Sequence, residues 1–301
     1  MDSYAETILK QMIKQGMVTK EVGGVFTVMS DNANYVCFAP KKFRYNHTEI
    51  YVGDKVTFSM LSKNKGLIEQ ILPRRNLITR PQIANVDVVF VVIAPLPQPD
   101  LGLVDKILVN CFKNDVTPVL VINKTDLASD GFVQQICSCY SKVCDCVQVS
   151  AINNDGLEVL RPYFLNNVVC FAGQSAVGKT SILNALIPSL NKQTGELSQK
   201  TQRGTHTTRH SQLYRCFDGY VVDTTGFSLL EIVDIHSKQL MLYYDDMVQL
   251  SRGCRYNMCT HTAEPDCAVK RAVEEGSFDK ERYQRYCTIV AELATAERNK
   301  Y

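Results

Sequence analysis

Gly173-Gln174-Ser175-Ala176-Val177-Gly178-Lys179-Thr180-Ser181 is the stretch that decides the fold. It matches GxxxxGK[ST], with the apolar run 168–172 before it and a helical pattern to residue 186 after it, the context in which this motif binds phosphates. The glycines let backbone N–H groups wrap phosphate oxygens, and the helix N-terminus adds a favourable dipole. Lys179 should reach the β- and γ-phosphates, and the Thr180 hydroxyl should bind Mg²⁺. We therefore predict a nucleotide site over residues 173–181.

A second motif indicates which base is bound. Asn123-Lys124-Thr125-Asp126 follows the predicted strand 118–122 and fits NKxD, whose carboxylate accepts from the ring N–H and the exocyclic amine of guanine. Adenine offers no such pair of donors and would leave Asp126 unpaired in a closed site. Ser150-Ala151, at the end of the predicted strand 147–150, fits the loop whose backbone N–H meets the guanine carbonyl. The predicted ligands are GTP and GDP.

Two further segments fit the parts of a nucleotide site that respond to the γ-phosphate. Asp223-Thr224-Thr225-Gly226 is DxxG at the end of a predicted strand, so Asp223 would hold Mg²⁺ through water and the Gly226 N–H would meet the γ-phosphate. Residues 202–209 are polar and rich in threonine, as a switch segment should be. Thr208 is our first choice as the Mg²⁺ ligand there, and Thr207 is the second.

The order of these motifs is unusual. The base-reading motifs at Asn123 and Ser150 precede the phosphate loop, whereas in ordinary small GTPases they follow it. Short apolar strands that alternate with helices predict an α/β domain with a parallel sheet covered on both faces. On such a sheet all of these motifs can still meet if the domain is circularly permuted.

The first 72 residues differ from the rest of the chain. Short β-rich runs separated by turns such as Gly23-Gly24 and Asp31-Asn32 predict a small barrel of the oligonucleotide/oligosaccharide-binding (OB) type, with an SH3-like barrel as the alternative. Pro73 to Asn76 has the composition of a linker. Basic residues at 41, 42, 44, 63 and 65 suit either RNA binding or a solvated face, and they favour neither.

The C-terminal part, helical from about residue 229, contains a set of metal ligands. Cys254, Cys259, His261 and Cys267 form C-x4-C-x-H-x5-C. Three thiolates and one imidazole are a closed tetrahedral set, so we predict one structural zinc ion. A second set, Cys137, Cys139, Cys144 and Cys146, has unusual spacing for zinc and is interpreted as packing and exposed thiols.

Composition limits the classes of protein to which the chain can belong. The 301 residues are 45% apolar and 21% charged with a formal net charge of +2, so the chain is globular and any nucleic-acid contact must use local patches. No apolar run reaches the length of a membrane helix, and no signal peptide is evident at the start. We expect a cytoplasmic monomer with no membrane partner, in which the 12 cysteines are thiols or metal ligands.

Taken together, these motifs resemble the ribosome small-subunit-dependent GTPase A (RsgA) family over essentially the whole chain. The segments that carry the resemblance are 73–76, 80–87, 123–126, 173–181, 203–208, 223–227 and the Cys254 set. The resemblance implies an OB-fold RNA-binding domain at 1–72, a circularly permuted GTPase domain at 73–228 and a helical zinc domain at 229–301. It also implies late maturation of the small ribosomal subunit, with that subunit and its rRNA as partners. Three departures from the family pattern are Ala176 in place of Gly, Thr225 in place of Pro, and Arg209 where a third threonine is common.

The group that orients the attacking water must be unusual. Ras-like enzymes use a Gln just after DxxG, but Phe227 stands there and cannot hydrogen-bond to water. His206 on the predicted switch has suitable chemistry, and the RsgA resemblance supports it; with Lys179 and Thr208 it completes the predicted catalytic set. Two alternatives are an RNA-binding module that senses GTP and barely hydrolyses it, and a cysteine-rich redox or zinc-storage protein, which would leave the nucleotide motifs unexplained.

Overall fold

The N-terminal strands form a closed barrel. The computed structural model describes residues 13–41, 43, 48–79, 82–190, 212–222 and 235–299. Its first five strands are β1 (Ile13–Val22), β2 (Val25–Ser30), β3 (Ala33–Phe38), β4 (Lys55–Ser62) and β5 (Lys65–Ile71). They close in the order β1-β2-β3-β5-β4, with β3 parallel to β5 and the other pairs antiparallel. This is the five-stranded Greek-key barrel of the OB type, as predicted.

Alternation along the strands builds the barrel core. In β2 the buried side chains are Phe26, Val28 and Ser30, while the side chains between them are exposed or half-buried. This period of two places every second residue on the inner face. The interior is filled by the buried side chains of Val18, Phe26, Val28, Tyr35, Cys37, Val56, Phe58, Met60 and Ile68.

A short hairpin and a six-stranded sheet follow the barrel. The hairpin pairs β6 (Leu77–Thr79) with β7 (Gln82–Ala84). The sheet strands are β8 (Val88–Ile93), β9 (Thr117–Ile122), β10 (Asp145–Gln148), β11 (Val168–Ala172), β12 (Leu213–Cys216) and β13 (Gly219–Val222). Their order is β10-β9-β8-β11-β13-β12. β10 is parallel to β9 and β11 is parallel to β13, whereas β12 pairs antiparallel with β13 at the edge of the sheet.

Helices connect these strands. They are α1 (Leu101–Lys113), α2 (Asp130–Tyr140) and α3 (Lys179–Leu186), with short 3-10 helices at Thr125–Leu127 and Leu157–Phe164. Asp100 and Ser129 accept hydrogen bonds from backbone N–H groups in the first turns of α1 and α2 and so fix where these helices begin. Every residue of β8 and of β11 is buried, as expected for strands covered on both faces.

The C-terminal part is helical. A 3-10 helix at Ser237–Tyr243 precedes α4 (Asp245–Ser251), α5 (Ala268–Glu274) and α6 (Lys280–Arg298). Asp105 of α1 is almost fully buried and forms an ion pair with Arg285 of α6, with Nε to Oδ2 at 2.5 Å. Its other oxygen accepts from the Tyr140 hydroxyl of α2 at 3.0 Å. Breaking such a buried pair typically costs about 3–5 kcal/mol, so this contact holds α6 against α1 and α2.

Backbone contacts divide the chain into two compact units. One contains residues 1–88, 161–170 and 187–227, and the other contains residues 89–160, 171–186 and 228–301. Both the phosphate loop and the base-reading motifs lie in the second unit. Among the described residues, no helix is both long and apolar enough to cross a membrane.

Candidate nucleotide site and metal centre

The phosphate loop lies between β11 and α3, where the sequence predicts it. Gly173 and Gly178 have φ values of +129° and +96°. A Cβ on Gly173 would lie 2.2 Å from the Val92 carbonyl oxygen, and one on Gly178 would lie 2.2 Å from Nδ2 of Asn123. Both positions therefore require glycine for two reasons, a backbone conformation that L residues rarely adopt and the absence of space for a side chain.

Ala176 occupies a conformation that the sequence does not reveal. An alanine at this departure from the family pattern predicts an α-compatible backbone. Its φ is +63°, which is the left-handed region. An L residue pays about 1–2 kcal/mol there, whereas glycine does not. Gly173 and Gly178 lie on either side of Ala176 and allow the backbone path of the phosphate loop. The alanine therefore lowers stability without removing the backbone N–H groups that bind phosphate.

Asn123 braces the loop rather than pointing into solvent. Its side chain is buried, with 1% of the residue surface exposed. Nδ2 donates to the Val177 carbonyl at 2.9 Å, and Oδ1 accepts from the Ala151 backbone N–H at 3.2 Å. One amide therefore ties the phosphate loop to the Ser150 loop, and the motif NKxD alone did not predict this role.

Two lysines bind carbonyl groups of the phosphate loop. Lys124 is left-handed with φ +59°, and its Nζ donates to Ala176 O at 2.8 Å and to Leu96 O at 2.7 Å. Lys179 Nζ donates to Gly173 O at 2.7 Å and to Gln174 O at 2.6 Å. Burial lowers the pKa of Lys179, so an anion beside it would favour the charged ammonium form.

The base-reading residues come together across two loops. Ser150 Oγ donates to Asp126 Oδ1 at 2.5 Å. The backbone of Ser150 is fixed in turn by reciprocal hydrogen bonds with Asp155 at 2.9 and 3.0 Å. Asp126 is exposed at the start of its 3-10 helix, and Asn123 links this pair to the phosphate loop. The structure thus brings both predicted base-reading motifs to the loop, although the phosphate-loop strand follows them in the chain.

Several predicted residues cannot be placed. His206, Thr207, Thr208, Asp223, Gly226 and Phe227 lie outside the described residues, as do Lys42 and Arg44. Their roles stay predictions. The described edge strands β12 and β13 lie between the two predicted switch segments in the chain.

The cysteine and histidine set of the C-terminal part forms one compact cluster. The ligand atoms of Cys254, Cys259, His261 and Cys267 all lie within 4.8 Å of one another. The Cys254 and Cys267 sulfurs are 3.9 Å apart, close to the edge of about 3.8 Å that Zn–S bonds of 2.3 Å give in a tetrahedron. Nδ1 of His261 is 3.5 Å from Cys254 Sγ and 3.3 Å from Cys267 Sγ, so this nitrogen faces the cluster. The donor set therefore fits zinc.

The protonation of the cluster also fits a metal. Burial raises the pKa of Cys259 to about 12 and lowers the pKa of His261, so without a cation the Cys259 thiol is protonated and the imidazole is neutral. A divalent cation would exchange for the thiol protons, as it does in structural zinc sites. Burial opposes the charge of Glu264, but hydrogen bonds from Thr260 and Thr262 outweigh it and lower the pKa of Glu264 to about 2.

Two sets of contacts around the cluster were not predicted from the sequence. The Glu264 carboxylate accepts from Thr260 N and Thr262 N at 2.8 and 3.1 Å and so shapes the loop that carries His261. On the other side, Nε2 of His261 is 3.1 Å from Met241 Sδ, a thioether where a carboxylate or carbonyl usually orients a metal-binding histidine. In the sequence, only the polar residues Thr260, Thr262 and Glu264 hint at the contacts of the Glu264 carboxylate. Nothing near His261 in the sequence indicates its contact with Met241.

The fold and the site define a class of protein. A phosphate loop after β11, a guanine-type motif after β9 and a Ser-Ala loop after β10 are the parts of a P-loop GTPase, in a circularly permuted order. A family model described as the RsgA GTPase matches residues 71–233, and one described as the RsgA N-terminal domain matches residues 15–68. The chain belongs to the RsgA GTPase family.

Relatives and solved structures agree over nearly the full length. The chain is 37% identical over 291 residues to the small ribosomal subunit biogenesis GTPase RsgA of Caldanaerobacter subterraneus, covering 95% of this chain and 98% of the relative. It is 38% identical over 287 residues to the protein of that name from Thermotoga petrophila, covering 93% and 97%. The crystal structure of YjeQ from Thermotoga maritima matches with TM-score 0.83 and 35% identity, covering 94% and 99%. YloQ, described as a circularly permuted GTPase, matches with TM-score 0.81 and 31% identity, covering 95% and 97%.

Proposed function

We propose that this GTPase binds the small ribosomal subunit and acts in its late maturation, hydrolysing GTP to GDP and phosphate with turnover that the subunit stimulates. The observation that carries the proposal is full-length similarity to proteins named for small-subunit biogenesis, combined with a barrel, a nucleotide site and a metal cluster in one chain. The RNA-sensing module that barely hydrolyses GTP is less favoured, because the chain belongs to a GTPase family and its relatives are named as GTPases.

In the proposed nucleotide site each described residue has a separate task. Asp126 accepts from the guanine ring N–H and exocyclic amine, and the Ala151 N–H meets the guanine carbonyl. Asn123 holds the two loops at the distance that base and phosphates require, since it bonds to both. Backbone N–H groups of residues 173–181 bind the phosphates, and Lys179 exchanges its carbonyl partners for phosphate oxygens. Low exposure of Asn123 and Val177 keeps water away from the hydrogen bond between them.

Hydrolysis depends on residues of the switch segments. When bound with GTP, Mg²⁺ neutralises charge that develops on the phosphate oxygens, and Thr180, Thr208 and Asp223 are its proposed ligands. The Gly226 N–H meets the γ-phosphate. His206 orients the attacking water, because phosphoryl transfer depends mainly on positioning and charge stabilisation and does not need a strong base. Without an in-line Gln, basal turnover is slow, and rapid hydrolysis requires a partner.

The zinc ion is proposed to be structural. Cys254, Cys259, His261 and Cys267 supply four ligands and leave no open position for a substrate. The Tyr283 hydroxyl donates to His261 O at 2.7 Å, and the Tyr286 hydroxyl donates to Thr260 O at 2.9 Å. Both tyrosines lie on α6, so metal binding stabilises the packing of this helix as well as its own loop.

Further parts of the proposal concern the context in which the protein works. The three domains end at residues 72, 228 and 301, and the protein acts as a monomer in the cytoplasm, where small subunits mature. The barrel faces rRNA through Lys41, Lys42 and Arg44 and through Lys63 and Lys65. Lys41, Lys63 and Lys65 are exposed. Lys63 lies in the turn after β4, and Lys65 is the first residue of β5.

Binding to purified small subunits tests this proposal. Co-sedimentation in the presence of a non-hydrolysable GTP analogue should show binding that weakens as salt rises, since phosphate contacts release counterions. Reversing the charge at Lys41, Lys42 and Arg44 together should weaken binding to the subunit and leave basal GTP hydrolysis unchanged. Unaltered affinity of this triple variant would show that the barrel does not contact RNA through this surface.

A further inference from the structure

The phosphate loop is joined at two points to the segment between β8 and α1. Oε1 of Gln174 accepts from the backbone N–H of Asp100 at 3.2 Å, and Asp100 is the N-cap of α1. Nζ of Lys124 donates to Leu96 O as well as to Ala176 O. The course of the phosphate loop therefore depends on where α1 begins.

The position of α1 is itself fixed by a buried charge. Asp105 lies five residues after Asp100, about 7.5 Å along the helix axis, and forms an ion pair with Arg285 of α6. A second arginine of α6, Arg282, has its Nε 3.9 Å from the other Asp105 oxygen and is bonded to Asp246 of α4. Asp105 and Arg282 have only 1% and 3% of their residue surface exposed. The C-terminal helices thus hold α1 through charged groups that water does not reach.

The ion pair of Asp105 is directional as well as attractive. Taking two charges out of water costs about as much as their attraction returns, so an apolar contact of the same volume would hold two helices as firmly. The charges add geometry, because each carboxylate oxygen has its own partner. Nε of Arg285 meets Oδ2 at 2.5 Å, and the Tyr140 hydroxyl of α2 donates to Oδ1 at 3.0 Å. Two such contacts restrict both rotation and sliding of α1.

We propose that Asp105 is a positioning residue for nucleotide binding. Held by Arg285, it sets where α1 begins, and the contact between Asp100 and Gln174 carries that position to the phosphate loop. This role rests on the proposed binding of phosphates by residues 173–181. Asp105 adds no contact with the nucleotide, and it acts by holding the loop in the shape that binds, which lowers the cost of binding. The C-terminal helix α6 therefore determines part of the affinity for GTP.

The exposed face of the same two helices supplies a matched control. Lys106 of α1 forms an ion pair with Glu292 of α6 at 2.6 Å, and their side chains are 24% and 52% exposed. A pair in that position contributes little, because water and salt screen it. Lys106 directly follows Asp105, so its substitution changes the same turn of α1 without removing the buried contact.

Affinity for a non-hydrolysable GTP analogue, measured in single and double variants, tests this role. Gln174→Leu keeps the size of the side chain and removes the acceptor, and Arg285→Met removes the buried partner of Asp105. We expect each to weaken binding by about 3- to 10-fold, the size of one lost hydrogen bond, and Lys106→Met to leave it unchanged. A loss of this size leaves GTP binding largely intact when the C-terminal helices are disrupted.

Two further readouts separate positioning from a general loss of structure. Since both substitutions act through one contact, the double variant should lose much less than the product of the two single losses, which independent residues would give. The losses should appear with GTP and GDP and be smaller with GMP, which lacks the β- and γ-phosphates. Thermal unfolding shows whether each variant folds. If Arg285→Met does not fold, Arg285→Lys replaces it, because lysine keeps the charge of Asp105 paired and loses the guanidinium geometry.

Three results would overturn the role of Asp105. They are affinity within twofold of the unmodified protein in both Gln174→Leu and the Arg285 variant, an equal loss in Lys106→Met, and a double variant that shows the full product. Lys179→Met tests the phosphate site itself and should bind the analogue far more weakly. Full affinity in Lys179→Met would overturn the assignment of that site, whereas full affinity in the other variants beside a weak Lys179→Met would overturn the positioning role alone.

Discussion

Replacing Asn123 by Asp isolates the brace between the phosphate loop and the Ser150 loop. The substitution keeps shape and keeps an oxygen that can accept from the Ala151 N–H, which lies 3.2 Å from Oδ1. It replaces the Nδ2 donor, which is 2.9 Å from Val177 O, by a second oxygen. Two oxygens then face each other in a site where both residues are almost fully buried.

The size of the effect follows from these contacts. Losing the hydrogen bond costs about 1 kcal/mol, and leaving the Val177 carbonyl unpaired costs about 1–3 kcal/mol more. If GTP binding requires the link that Asn123 makes between the phosphate loop and the Ser150 loop, GTP affinity should fall by about 30- to 1000-fold. Burial raises the pKa of the introduced carboxyl, which can donate to Val177 O only when it is protonated. The defect should therefore be smaller at pH 5.5 than at pH 8, because the donor is lost as pH rises through that raised pKa.

Titration with a fluorescent GTP analogue at several pH values measures both effects. Asn153→Asp is the matched control, since Asn153 is exposed two residues beyond Ala151 and should leave affinity unchanged. Thermal unfolding of each variant shows whether the whole fold is lost. Affinity of Asn123→Asp within threefold of the unmodified protein, at every pH, would refute the bracing role.

Three further predictions concern the base, the zinc ion and hydrolysis. Asp126→Asn should weaken GTP binding by several kcal/mol and gain affinity for xanthosine triphosphate, and equal binding of ATP and GTP by the unmodified protein would contradict the assignment. Cys254→Ser should lower zinc content and unfold the C-terminal helices while GTP binding largely survives; the absence of about one zinc per chain in unmodified protein would count against a structural ion. His206→Ala should cut subunit-stimulated turnover by about 10- to 1000-fold and spare binding of a GTP analogue, whereas Thr208→Ala should impair Mg²⁺-dependent binding too. Full subunit-stimulated turnover in His206→Ala would show that another residue orients the attacking water.

The strands and helices that a short stretch of sequence encodes were predicted best. Strand β11 and helix α3 lie at the predicted residues, because a fully apolar strand followed by GxxxxGKT is a self-contained signal. α1 begins at Leu101 because the Asp100 side chain caps its first turn, and this start signal is separate from the apolar periodicity of the helix. β10 covers Asp145–Gln148 and not residues 147–150, since its first residues are acidic and thiol-bearing and do not look like a buried strand.

Contacts between distant segments could not be predicted from local pattern. The tie from Asn123 to Val177 joins residues 54 apart in the chain. The left-handed backbone of Ala176 follows from loop closure and contradicts the residue's own preference. The contact between Arg285 of α6 and Cys139 of α2 joins residues 146 apart in the chain. Each of these features is fixed by tertiary packing, which composition and spacing do not contain.

GTP hydrolysis measured with and without purified small ribosomal subunits tests the central claim most directly. Phosphate release is followed under multiple turnover, with large subunits and ATP as controls. The account predicts slow basal turnover, strong acceleration by small subunits alone, and no hydrolysis of ATP. Turnover that small subunits leave unchanged, or that large subunits raise equally, would contradict the account.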